Sequence, residues 1–352
     1  MKRKNLVILL IVFAILGIAV VIQEKSRDRR KEHVPEELGI LYPSFSSERV
    51  SSVTLGSFGG DVVLKKMDGN WYVEDGERLF RADKESIEKM FETTEALEAI
   101  QIVSQNPEKH ISFQVNSRQE TEITDEDGQS RPFSIGTMGT EVKMLYEDGS
   151  QAAHFFVGKN GSMDFLSTYV RKAESPTVLL AQGYLKATYG KGNATAWKDL
   201  LICKIEPETI ASVKITAGKD QIVIQQVAEE NEDETPRSYQ WKLTEPMTGP
   251  VDNAKLQQLL SMFKHFRAGD YAEEKQDFAE YGFDNPSVVI ELGFFDSEEK
   301  EIFTFGNQSK EKSDQYYLQK SGSDNVYLIP QYRIETIPHS ADELLDKTKF
   351  SE

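Results

Sequence analysis

"VSSVTL" at Val50–Leu55 returns as "IASVKI" at Ile210–Ile215, and "NWYV" at Asn70–Val73 returns as "QWKL" at Gln240–Leu243. Further on, "FVGKNG…YVRKAESPTVLL" is answered by "TFGNQS…YLQKSGSDNVYLI". Self-similarity at a fixed period sets an architecture before any motif is weighed. Here the period is a whole domain, too long for a solenoid. Val53 pairs with Val213 at an offset of 160 and Trp71 with Trp241 at 170. Phe113 pairs with Tyr281 at 168, and Val157, Tyr169 and Val178 pair with Phe305, Tyr317 and Val326 at a constant 148. The second copy gains the acidic stretch Ala228–Arg237, and the first an extra polar segment near Ser117–Thr140. Insertions confined to polar stretches belong on surface loops.

Within each copy the pattern opens on short alternating runs. "SVTL", "DVVLKK" and "NWYVED" are divided by Gly-Gly and Asp-Gly pairs, which are hairpin signals. "SVKIT", "QIVIQQV" and "YQWKLT" repeat them. The alternation suits antiparallel strands with one buried face, and Trp71 and Trp241, at equivalent strand positions, are expected to pack in cores. A helix follows. Asp83 caps one whose apolar stripe is Ile87, Met90, Phe91 and Leu97; Asp252 caps the other, with Leu256, Leu259, Leu260 and Phe263. Val251 and Leu256 fit a hydrophobic staple. "IQIVS" comes after the first helix; "YGFDNPS" at Tyr281–Ser287, then "VVIELGFF", "KEIFTFG", "DQYYLQK" and "NVYLIP", complete the second copy. A short helix is expected to end each copy, around Lys198–Leu201 and Ala341–Leu345. Strands on both sides of an amphipathic helix give an α+β fold class: two duplicated domains, each a mostly antiparallel sheet packed on one helix.

The amino terminus is different in kind. Leu6–Ile22 carries no charge, and 17 helical residues reach roughly 26 Å, near the hydrocarbon thickness of a bilayer. A cleavable signal peptide has a shorter apolar core and a small-residue cleavage site, whereas this stretch runs straight into "QEKSRDRRKE". A retained transmembrane helix over 5–22 is the expectation, after a tail at 1–4. A charged juxtamembrane stalk follows at 23–47, the first repeat at 48–203 and the second at 204–352. This makes the protein a single-pass protein of the cell membrane whose helix meets lipid. Cations flank both sides of the span and by count slightly favour the C-terminal side as cytoplasmic, but short amino-terminal tails and long folded domains do not obey that count, so charge alone does not orient it.

The formal net charge is −17, and the first 32 residues hold eight basic against three acidic side chains, so the rest is more acidic still. Such a surface repels phosphate backbones and argues against nucleic acid as a partner. The single cysteine, Cys203, cannot form an intrachain disulfide, and its apolar setting "DLLICKI" reads as core.

Motifs that would carry chemistry fail one after another. His33, His110, His154, His265 and His339 are scattered, without metal-ligand spacing. "TDEDGQS" at Thr124–Ser130 lacks the spacing and terminal glutamate of a calcium loop and reads as a hairpin turn. The run Glu229–Glu234 reads as a solvated loop. "YGKGNAT" at Tyr189–Thr195 lacks the leading glycine and following Ser/Thr of a phosphate loop, and "GSFGG" at Gly56–Gly60 is no nucleophile elbow. No catalytic, cofactor-binding or metal residue is assigned, no cofactor is implied, and the expectation is a non-enzyme. Of the aromatics Phe263, Phe266, Phe294, Phe295, Phe303, Phe305, Tyr316 and Tyr317, most are expected in the core. A minority on the alternate face would form a partner-binding patch.

Taken in order, the Trp strands, the Asp-capped helix, "YGFDNPSVVIEL", "FGN", "YYLQKSGSDNVYLIP" and "LLDKTKF" resemble the bacterial domain of unknown function 4340 over residues 50–350 in both copies. The first copy departs from it, with "FQVNSRQ" and no proline where the second has "YGFDNPS". The resemblance implies a single-span protein associated with ABC-2-type transport systems, including an auxiliary component of gliding motility. It further implies permease and ATPase subunits as partners and an extracytoplasmic location for the bulk of the chain. It carries over no catalytic residues. The alternative is an extracytoplasmic binding module for cell-wall polymer or another envelope ligand.

Overall fold

The computed structural model describes residues 37–57, 59–117, 122–124, 130–132, 138–161, 166–228, 239–273 and 278–349. The expected span at 5–22, most of the stalk, His33, the interior of Thr124–Ser130 and the acidic run Glu229–Glu234 lie outside them. Among the described residues no helix is long and apolar enough to cross a membrane. The chain divides into two units between Asp199 and Leu200.

The first unit runs β1 (Gly39–Ile40), β2 (Val50–Ser57), β3 (Gly60–Met67), β4 (Asn70–Asp75), β5 (Arg78–Arg81), α1 (Lys84–Glu95), β6 (Glu98–Ser104) and α2 (His110–Phe113). A small ribbon follows, β7 (Glu122–Thr124) with β8 (Ser130–Pro132). Then come β9 (Thr140–Tyr146), β10 (Gln151–Asn160), β11 (Ser167–Lys172), β12 (Val178–Gln182) and α3 (Leu185–Tyr189). Ten strands form one sheet in the order β1-β6-β12-β11-β10-β9-β2-β3-β4-β5, antiparallel at every step.

The second unit begins with β13 (Leu201–Cys203), which pairs with β18 (Phe266–Arg267). It continues β14 (Ile210–Ala217), β15 (Asp220–Ala228), β16 (Tyr239–Glu245), β17 (Gly249–Pro250), α4 (Asn253–Lys264), β19 (Asp270–Tyr271), β20 (Val288–Phe294), β21 (Ser297–Gln308), β22 (Gln315–Lys320), β23 (Val326–Pro330) and α5 (Gln331–Glu335). Its sheet order, β17-β16-β15-β14-β20-β21-β22-β23-β19, read in reverse, matches the first strand for strand with β1 left over. Both units are sheet-rich and mostly antiparallel with a few helices, and they are one topology built twice.

Burial follows the alternation. In β20, Val288, Ile290 and Leu292 are fully buried and the residues between them are not. They join Val213, Ile215, Phe303, Phe305 and the α4 stripe Leu256, Leu259, Leu260 and Phe263 in one core. Val251, before the cap, belongs to the same core as Leu256, as a hydrophobic staple requires. On α1 the buried residues are Ile87, Met90, Phe91 and Thr94. The Thr94 hydroxyl lies 2.9 Å from that of Tyr189 on α3, and burial pushes the Tyr189 phenol far above its ordinary range. Away from the core, Glu291 of β20 meets Lys214 at 3.1 Å and Lys300 at 3.4 Å. Partial burial pushes its carboxyl up, but the two ammonium groups outweigh that and hold it below the usual range.

Both helix caps form. The Ser86 N–H donates to Asp83 Oδ1 at 2.9 Å; the N–H groups of Ala254 and Lys255 donate to Asp252 Oδ1 at 3.0 and 3.3 Å. The cap residues also tie the helix starts to the ends of their units: Asp83 N–H donates to Trp197 O and Asp252 N–H to Leu344 O, each at 2.8 Å. Asp252→Ala removes an acceptor for two donors but keeps the backbone tie. It is expected to cost about 1 kcal/mol, read as a lower urea midpoint with an unchanged slope; no shift would mean water replaces the cap.

The closing helix of the first copy sits earlier than the sequence suggests. The turn is Ala194–Trp197, because the Asn193 side chain caps Ala196 N–H at 3.1 Å. Lys198 is already extended and bridges Ala82. Its counterpart is Ala341–Glu343, with Leu345 bridging Val251. The turn after α2 likewise has a counterpart of the same shape in the second unit despite its different sequence. Phe113 is followed by Gln114 at φ 60°, and Tyr281 by Gly282 at φ +78°. Phe113 packs on Tyr169 at 4.6 Å and Tyr281 on Tyr317 at 5.0 Å.

Candidate binding grooves

Several of the residues weighed for chemistry have structural partners, while His265 and His339 are exposed. His110 is buried, its Nε2 2.8 Å from the Pro176 carbonyl. His154 Nε2 meets Glu141 Oε1 at 2.7 Å on the neighbouring strand. His265 ends α4. Among the described residues no three His, Cys, Asp or Glu side chains gather to hold a metal. Cys203 lies in the second core, where burial pushes its thiol up to about 12, so it stays protonated and unreactive at neutral pH. In "YGKGNAT" the Lys191 ammonium bonds the Ser86 hydroxyl and sits 4.5 Å over the Trp197 ring.

The aromatics divide as the alternation implies. Phe263, Phe266, Phe303, Phe305 and Tyr317 are buried, and Phe294 and Tyr316 pack against the core from its edge. Phe295 is 44% exposed and meets the 48% exposed Tyr239 edge-on at 5.2 Å.

Trp71 and Trp241 are half-buried, so each ring serves two surroundings. One side rests on the core; the other lines a groove between the Trp strand and the start of the following helix. The first groove, about 420 Å³, is lined by Asn70, Trp71, Arg81, Ala82, Lys84, Glu88 and Phe91 among others. The second, about 750 Å³, is lined by Tyr239, Gln240, Trp241, Pro250, Val251, Asn253 and Gln257 with Thr248, Gly249 and two lysines. Asn70 corresponds to Gln240, Ala82 to Val251, Lys84 to Asn253 and Glu88 to Gln257: one groove made twice. Sequence reading placed both Trp in cores and missed the grooves. The signal was present in the Trp–amide pair that both copies retain.

Comparison with family models finds the domain of unknown function DUF4340 twice, over residues 71–240 and 241–352. The chain belongs to this family. The two DUF4340 matches begin on the equivalent residues Trp71 and Trp241, so each starts at the strand that floors a groove. The family segment is therefore out of phase with the folded unit: the first match contains β14 and β15, which fold with the second sheet. No curated protein and no solved structure matches the chain.

Proposed function

We propose that this DUF4340 protein is a membrane-anchored, non-enzymatic accessory protein that holds a partner, an ABC-type transporter or similar envelope complex. The carrying observation is that the same Trp-floored groove is built in both units while their linings differ. Two such grooves on one chain give a binding protein two points of contact. The apolar segment 5–22 supplies the tether, and the sheet-rich units lie on the extracytoplasmic side. Nucleotide hydrolysis, where the partner needs it, belongs to another chain. Extraction of the full-length protein in mild detergent tests this: permease and ATPase subunits are expected in the pull-down, and their complete loss overturns the reading.

The exposed Tyr239–Phe295 pair beside Trp241 favours a second reading, an extracytoplasmic module for cell-wall polymer or another envelope ligand. Sedimentation with purified wall material separates the two, since transporter partnership alone predicts no pelleting.

A further inference from the structure

Although the two grooves share a floor, their side chains leave them in different states. In the first, Phe91 packs on Trp71 at 5.4 Å and covers part of its ring. Arg81 donates to Asn70 Oδ1 at 2.7 Å, and Lys84 pairs with Glu88 across one turn at 3.6 Å. The side chains of this groove are engaged with one another.

In the second, each of these is replaced. Leu260 stands at the place of Phe91, Pro250 at that of Arg81, and Asn253 and Gln257 at those of Lys84 and Glu88. Among the described residues no aromatic ring packs on Trp241, and no carboxylate lines the groove.

The geometry of the walls follows from periodicity. Tyr239 and Trp241 are two apart on β16 and so share a face, with the buried Leu243 continuing it into the core. Asn253 and Gln257 are four apart on α4, both exposed, and share a helix face. A wall of two rings therefore opposes a wall of two amides, each about 6–7 Å long. Rings offer apolar faces to stack on, and each amide offers a carbonyl acceptor and two N–H donors.

We infer that this second groove is a saccharide site: pyranose faces stack on Trp241 and Tyr239 while the amides of Asn253 and Gln257 bond the ring hydroxyls. A sugar is the ligand class that presents a flat C–H face and paired hydroxyls together. The acidic chain repels nucleic acid, and the amides, Thr248 and two lysines make this lining more polar than the pockets that anchor peptide side chains. Of the two lining lysines, Lys349 is paired with Asp346 at 3.6 Å and Lys242 alternates to the other face of β16 from Trp241, so the ring and amide walls themselves are uncharged, as a neutral sugar requires. The inference sharpens the envelope-ligand reading to one groove and is independent of the transporter partnership.

Calorimetric titration of the full chain with chitotetraose, cellotetraose and maltotetraose tests it. Saturable binding of at least one is expected, at about millimolar or tighter. Asn253→Ala combined with Gln257→Ala removes two exposed amides without touching the core and should weaken that binding about tenfold or more. Trp241→Ala should abolish it, and Trp71→Ala should leave it unchanged. Failure of all three sugars to bind up to their solubility limit overturns the inference, as does binding that survives loss of both amides. Wall pelleting that persists in the double amide variant keeps the envelope reading and rejects this groove.

Discussion

Gly306→Ala is expected to destabilise the second unit by about 3 kcal/mol, lowering its melting temperature by roughly 10 °C. Gly306 lies on β21 where the turn around Tyr281 docks. A β-carbon there would stand far inside van der Waals contact of the Tyr281 carbonyl oxygen and 3.0 Å from the Phe283 ring. The obstacle is backbone, so no rotamer change relieves it; the turn has to lift off the strand. That turn carries Tyr281, which packs on Tyr317 and with it forms a satellite core of Ala272, Tyr281, Tyr317 and Leu328. Lifting it opens the cluster. Gly158 stands at the same place in the first unit, where a β-carbon would run into the Phe113 carbonyl and lie 2.8 Å from Val115 Cγ1. Gly158→Ala is therefore expected to do to the first transition what Gly306→Ala does to the second. Differential scanning calorimetry reads both. Rescue of Gly306→Ala by Phe283→Ala would show that the ring, not the carbonyl, is the obstacle, and would sink the argument.

This pair of glycines also shows what was legible beforehand. The offset of 148 already equated Gly158 with Gly306 and Tyr169 with Tyr317, and 168 equated Phe113 with Tyr281. The fold puts each triplet together in its own unit, the glycine against the turn and the two rings in contact. Duplication was readable because insertions had gone to polar loops while the spacing within sheets stayed fixed. The short elements were not. The four residues of α2 and five of α3 and α5 are too few for apolar periodicity to register, and a two-residue strand such as β1 has no alternation to detect. The grooves escaped for another reason. Composition assigns a tryptophan to the core, and each ring is partly there; the rest of it lines a groove with residues that only the fold brings near, Asn253 and Gln257 for Trp241 and Lys84 and Glu88 for Trp71.

The first unit lacks the "YGFDNPS" sequence with which the second pins its turn. There the Ser287 hydroxyl donates to Phe305 O at 3.0 Å and Asn307 Nδ2 donates to Glu280 O at 3.2 Å. Arg171 of β11 takes over that task. It is 4% exposed, its Nε donating to Val115 O at 2.8 Å and its Nη1 to Ser175 O at 3.2 Å and Ala173 O at 3.3 Å. Its guanidinium lies 4.4 Å over the Phe156 ring. One rigid fork thus ties the turn after α2 to the loop after β11. Arg171→Ala leaves these carbonyls without that donor in a site closed to water, and the expected loss is about 3–4 kcal/mol, confined to the first unit. Arg171→Lys should not rescue it, because a compact ammonium cannot reproduce the fork. At the equivalent position of the second unit stands the half-buried Gln319; Gln319→Ala should cost about 1 kcal/mol or less. Amide exchange separates a local pin from a general loss of stability. With Arg171→Ala, protection over 110–116 should fall by roughly 200-fold or more, while 281–287 keeps its native rate. Equal loosening of both turns would mean that the arginine stabilises the chain as a whole and does not substitute for the second copy's loop.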